Sequence, residues 1–175
     1  LKEFGFNKDI PFMAKDLFLI RHAKSDWSFS YKDFDRPLNA RGHSDAPMMA
    51  ERLQIYYPKA LHLVSSPAKR ALTTAQIFAE QRKMTHDQIQ IEPSIYEANI
   101  PALLEIITAF PDHQEPFVMF GHNPGITDLI NYLTDETLMD IPTCAWAHIH
   151  FDSAQSWAEI SRGTGHLIKL ATPRF

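Results

Sequence analysis

The apolar run Leu17-Phe18-Leu19-Ile20 ends in Arg21-His22. A strand that stops there sets a permanent cation beside a titratable nucleophile at the end of a sheet, where ligands of open α/β sheets bind. Three later segments, each behind its own apolar run, carry matching chemistry: Ser65-Ser66-Pro67-Ala68-Lys69-Arg70, Ile95-Tyr96-Glu97 and Gly121-His122-Asn123-Pro124-Gly125. A neutral imidazole has a lone pair that can attack phosphorus and later leave again. An arginine offers a flat charged fork matched to phosphate oxygens. Phosphoryl transfer asks mainly for positioning and charge stabilisation, and clustered cationic donors supply both. Each residue also has a plainer reading: a solvated Arg-His strand end, an exposed first-turn arginine at 70, a turn histidine at 122, a solvated loop carboxylate at 97. Their recurrence behind successive strands favours one shared site.

The elements that must position these residues alternate between strand and helix patterns, which predicts α/β architecture. Leu17 to Ile20 is the first strand. Ala46, Met49, Ala50, Leu53 and Tyr57 recur at helical spacing behind an N-cap at Asn39, and Pro47 is expected to bend that helix or delay its start. Leu61 to Val64 is the second strand, and Ser66-Pro67 reads as an N-cap with proline at the first helical position. The stripe Ala68, Ala71, Leu72, Ala75, Phe78 and Ala79 leaves Arg70 off the core face of that helix. Ile89 to Ile91 is a weaker strand, and Pro101 starts a short helix that buries Leu103, Leu104, Ile107 and Phe110. Phe117 to Phe120 is the fourth strand, followed by a helix with the stripe Ile126, Leu129, Ile130 and Leu133. Beyond Cys144, the segments 148–151, 157–160 and 167–170 read as short strands. The expected fold is a three-layer α/β/α sandwich, a mostly parallel central sheet with helices on both faces. Residues 13–175 are read as a single domain and residues 1–12 as an upstream extension or a mobile arm outside it.

Composition narrows the classes. With 175 residues, 45% apolar and 22% charged, the chain has the makeup of a globular domain. A net charge of −4 without a long basic cluster argues against nucleic acid or an anionic membrane as partner; Lys69-Arg70 is too short to be such a patch. One cysteine, Cys144, forms no intrachain disulfide, and no apolar run approaches the ~18 residues of a membrane span. A cytoplasmic location is the expectation. His148 and His150 share a strand face that His166 could join, but strand histidines without an evident carboxylate are more often structural, and no metal is expected. Trp146 and Trp157 read as packing residues.

Arg21-His22-Ala23-Lys24-Ser25-Asp26-Trp27 resembles the signature of the histidine phosphatase superfamily, which includes the phosphoglycerate mutases and acid phosphatases. It looks closest to the SixA-type phosphohistidine phosphatase branch. Residues 33–42 (Asp33 to Gly42) are similar to the stretch leading that family's first helix. Ser65 to Ala75 matches its second arginine motif, and Gly121 to Gly125 its second histidine motif. Ala23 replaces the common glycine, Lys24 the usual Glu or Gln, and Ser28 the asparagine of the mutases, which points away from a mutase.

The resemblance implies that His22 is the nucleophile, that Arg21, Arg70 and His122 bind the phosphoryl oxygens, and that no metal or cofactor takes part. Ser25 and Asn123, inside the same motifs, are expected to contact the substrate. Glu97 is the expected proton donor, with Asp33 and Asp35 as rivals. The expected substrate is phosphohistidine on a protein, with inorganic phosphate as product. The alternatives are a small phosphorylated metabolite and a catalytically silent module that binds phosphate or phosphoprotein. Short loops between the motifs predict an open, shallow pocket.

Overall fold

The computed structural model describes residues 14–174. The upstream extension expected over residues 1–12 lies outside the described residues. Strand β1 (Lys15–Arg21) leads to α1 (Ala40–Tyr56), β2 (His62–Ser65), α2 (Lys69–Gln81), β3 (Gln90–Ile91), α3 (Ile100–Thr108), β4 (Phe117–Gly121), α4 (Gly125–Thr134), β5 (Trp146–Phe151) and β6 (His166–Ala171). The strands form one sheet in the order β3-β2-β4-β1-β5-β6. The first four neighbours are parallel, and β5 runs against β1 and β6. Helices cover both faces, as the alternation predicts. Phe18, Ile20, Met49, Leu53 and Phe78 pack the face under α1 and α2, whereas Leu17, Leu19, Leu103, Ile107 and Leu129 pack the face under α3 and α4. All five residues of β4 are buried, as a parallel strand covered on both sides requires. No helix among the described residues is long and apolar enough to cross a membrane.

Three local expectations need correction. Of the two effects expected of Pro47, a delayed start is not seen: α1 begins directly after its Asn39 cap and runs on through the proline. The buried stripe Ala46, Met49, Ala50 and Leu53 offsets the one hydrogen bond that an exposed proline removes. Helix α2 starts at Lys69 rather than Pro67, because Ala68 is still extended and its carbonyl is the first to accept helical bonds, from Ala71 and Leu72. The segment at Trp157 is a 3-10 turn, not a strand. Trp157 and Ile160 lie three residues apart and are both buried, a spacing that fits one tight turn, and the Ser156 hydroxyl caps it at Ala158.

Candidate active site

Strand register brings the two histidines together. Arg21 pairs with Gly121 across β1 and β4, so the next residues, His22 and His122, emerge side by side with ring centroids 5.3 Å apart. Ser65 pairs with Phe120 on the other side of β4, which sets Ser66 beside His122; its Oγ lies 2.8 Å from His122 Nε2. The His22 loop is held from several directions. The His22 amide donates to Gly121 O (3.0 Å), the Ala23 amide to Thr74 Oγ1 (3.0 Å), and the Cys144 amide to both Arg21 O and His22 O (3.1 Å each). The first turn of α1 closes over the loop so tightly that a Cβ at Gly42 would lie 2.2 Å from the Lys24 carbonyl oxygen. Only glycine allows that approach.

His22 is buried, and its Nδ1 donates to the Ala23 carbonyl at 2.7 Å. That bond leaves Nε2 as the unprotonated nitrogen, which accepts from Arg70 Nε at 3.2 Å. Burial, reinforced by His122 and the arginines, holds His22 down to about 3. Burial and the Arg70 charge hold His122 down to about 4. Both rings are therefore neutral at physiological pH. The buried His122 Nδ1 and Arg21 Nε have no hydrogen-bond partner among the described residues. Each such orphan costs ~1–3 kcal/mol unless a ligand satisfies it.

Arg70, in the first turn of α2, is buried rather than solvated. Its Nη1 donates to Asp33 O at 2.6 Å and its Nη2 to Asp33 Oδ2 at 3.1 Å. Asp33 also accepts from Arg36 and from the Tyr96 hydroxyl (2.7 Å). Partial burial would raise this carboxyl, but the bonds from Tyr96, Arg36 and Arg70 outweigh it and bring Asp33 to about 2. A carboxylate held so low is a poor proton donor near neutrality, which weakens it as a rival to Glu97. Asp35 does not line the pocket. Glu97 does: it is exposed, sits at φ 56 in the left-handed region, and its carboxylate carries no hydrogen bond to the described residues. Such a backbone is uncommon for a residue with a side chain.

The remaining expected residues line the same cleft but are partly committed elsewhere. Arg21 Nη1 donates to Ile141 O (2.6 Å) and to Asp140 (3.2 Å). The Asn123 amide nitrogen donates to Asp140 and Ile141 O, and its oxygen accepts from Thr127 N (3.3 Å). Ser25 Oγ accepts from Arg36 Nη1 at 2.8 Å. Arg36 itself was not anticipated from the sequence: buried, it bridges Ser25 and Asp33 and lies 3.6 Å under the Trp27 ring. Its signal was the spacing Asp33-x-x-Arg36 ahead of Pro37. Ser66, Tyr96 and Cys144, which the sequence marks only as parts of elements or by composition, also hold this site. The cleft has a volume of about 590 Å³.

The family model described as "Histidine phosphatase superfamily (branch 1)" matches residues 17–125, from within the strand that leads to His22 to the first residue of α4. The chain belongs to the histidine phosphatase superfamily. An uncharacterized protein of Picosynechococcus sp. is 31% identical over 114 residues, which covers 63% of this chain and 68% of that one. Among solved structures, the protein histidine phosphatase SixA complexed with tungstate superposes with a TM-score of 0.75 at 20% identity, over 90% of this chain and 97% of the other. A mycobacterial glucosyl-3-phosphoglycerate phosphatase superposes at 0.62 with 16% identity, over 89% and 98%. At such identities the likeness is one of fold, and it places the chain among phosphoglycerate mutase-like domains.

The metal alternative raised by the sequence meets a carboxylate that the spacing did not reveal. His148 Nε2 and His150 Nδ1 both bond the same oxygen of Asp16, at 2.7 and 2.8 Å, while His166 pairs with Asp152 at 3.4 Å. Among the described residues, no group of three or more His, Cys, Asp or Glu is placed to hold a metal ion.

Proposed function

We propose that this protein is a phosphatase that transfers a phosphoryl group to His22 and then to water, with phosphohistidine on a protein as its substrate. Superfamily membership supports the phosphatase chemistry. The observation that carries the mechanism is the state of His22: buried, neutral, its Nδ1 tied to a carbonyl and its Nε2 lone pair facing Arg70. In the first step Nε2 attacks phosphorus, the bond from phosphorus to the leaving atom breaks, and the leaving group takes up a proton. For an oxygen leaving group Glu97 is the donor; the nitrogen of a phosphohistidine needs less help. Arg21 and Arg70 bring positive charge to the phosphoryl oxygens and the neutral His122 brings a hydrogen bond; the unpartnered Arg21 Nε and His122 Nδ1 suit that role. Water then attacks the phosphohistidine, releasing inorganic phosphate and neutral His22. These groups meet the developing charge without a metal, and residues 13–175 act as one catalytic domain.

A small phosphorylated metabolite is the second reading, favoured by the cleft volume of about 590 Å³, which lies in the range of small-molecule sites. Acid-labile label from a radioactive phosphoryl donor should map to His22. Turnover of a phosphohistidine protein should exceed that of para-nitrophenyl phosphate. Label at another residue would refute the mechanism, and preference for small esters would favour the second reading.

A further inference from the structure

Among the described residues, eight large apolar side chains are exposed, and each of five of them is a pocket residue or lies within two positions of one, or of Asp140, which bonds the pocket residues Arg21 and Asn123. Trp27, Phe29, Tyr31 and Phe34 are 72, 68, 42 and 41% exposed and come from one short stretch; Met139, 99% exposed, adjoins Asp140, the partner of Arg21 and Asn123. Trp27 and Phe34 join this stretch to the site. Trp27 lines the pocket over Arg36, Phe34 meets the pocket residue Tyr96 edge-on at 5.3 Å, and Phe29 meets Tyr31 edge-on at 5.9 Å. Exposed apolar patches of this kind mark interaction sites, and aromatic residues and methionine are enriched in the cores of protein interfaces.

The position of the outer residues selects the occupant. Phe29, Tyr31 and Met139 do not line the pocket, so a phosphorylated metabolite filling the cleft leaves them untouched. A phosphoryl group carried on a polypeptide brings flanking residues across them. The stretch 26–36 holds Asp26, Asp33 and Asp35 against Lys32 and Arg36, a balance that disfavours an anionic lipid surface. The geometry points to a docking surface in which Phe29, Tyr31 and Met139 receive the apolar residues that flank a phosphorylated side chain on a partner protein. This rests on the phosphatase reading of the pocket and adds to it a basis for choosing among phosphorylated proteins.

The test separates docking from chemistry. Two short peptides carry a stable phosphotriazolyl analogue of phosphohistidine, one flanked by Leu and Phe, the other by Ser and Gln. The wild-type protein should bind the apolar peptide roughly tenfold more tightly, the effect of an interface contact worth ~1.4 kcal/mol. The Phe29→Ser/Tyr31→Ser variant should lose that preference while its turnover of para-nitrophenyl phosphate is unchanged. Equal binding of both peptides by the wild type, or a preference retained by the variant, overturns the docking surface. So does a dimer seen by sedimentation that the same variant abolishes, since a second copy then covers these residues. A preserved peptide preference in a protein that turns over neither para-nitrophenyl phosphate nor a phosphohistidine protein would sink the catalytic reading and leave the docking surface standing.

Discussion

Two histidine pairs sit at opposite ends of the same sheet, and they are built differently. At the carboxyl end of β1, His22 and His122 bond to a carbonyl, a hydroxyl and an arginine, with no carboxylate on either ring among the described residues. At the amino end, His148 and His150 converge on one oxygen of Asp16, and Tyr56 closes the chain at His148 Nδ1 (2.8 Å). Burial pushes the Asp16 carboxyl up, but the hydrogen bonds from His148 and His150 outweigh it and leave the group below its ordinary value. A carboxylate turns an imidazole into a hydrogen-bond donor and fixes it as structure. A carbonyl on one nitrogen and arginines around the other keep a lone pair free of its proton, the state a nucleophile needs.

The comparison breaks most sharply at His22. His22→Ala should lower turnover by ~10⁴-fold or more, as loss of an enzyme nucleophile does, with an unchanged far-UV circular dichroism spectrum. Retained activity would place the nucleophile elsewhere. Arg70→Ala should cost ~10²–10³-fold in kcat, the usual effect of deleting a preorganised donor to a developing charge. Here the variant also releases Asp33, so kcat should be compared at saturating substrate. A rate within tenfold of wild type would contradict the role given to Arg70.

The two pairs should also differ in how pH acts on stability. His22 and His122 titrate near 3 and 4 when folded, against an ordinary value of 6.5. Below 6.5 the unfolded chain takes up protons that the folded chain refuses. Their stability contribution is thus complete above pH 6.5 and falls away as pH drops toward the folded values. At ~1.4 kcal/mol per proton per pH unit, each costs about 2 kcal/mol by pH 5. Urea unfolding at pH 7 and pH 5 should show this loss, and His22→Gln/His122→Gln should remove most of it. Asp16 works in a lower window: its contribution is present above 3.8 and is lost as pH falls through its depressed folded value. An undiminished drop between pH 7 and 5 in the double variant would mean that the site histidines are not held neutral.

The site was legible in the sequence to the extent that its residues stand at the ends of strands. Arg21-His22 and His122 close apolar runs, and Arg70 lies in the first turn of a helix that follows another such run, so chain order alone predicts their convergence. The residues that hold them were not legible. Asp33 and Arg36 come from the loop between β1 and α1, where no periodicity marks which side chain turns inward. Cys144 acts through its backbone amide, which has no residue-type signature. The Asp16 cluster was missed for a related reason: its carboxylate is on β1 and its histidines on β5, neighbours only through antiparallel register. The 3-10 turn at Trp157 was hidden because buried residues three apart in a short segment can be read as a strand.

The smallest effect expected is at the amino end of the sheet. Asp16→Asn keeps an oxygen with two lone pairs, able to accept from both histidines, but removes the charge that strengthens both bonds. Two charge-assisted hydrogen bonds become neutral ones in a half-buried place, at a cost of ~1–3 kcal/mol in urea unfolding. Turnover per folded molecule should not change, because the cluster lies at the other end of β1 from His22 and none of its members lines the pocket. A drop of more than tenfold in kcat with the fold intact would show that the two ends communicate along β1. The histidine pairs would then be parts of one device rather than one structural pair and one chemical pair.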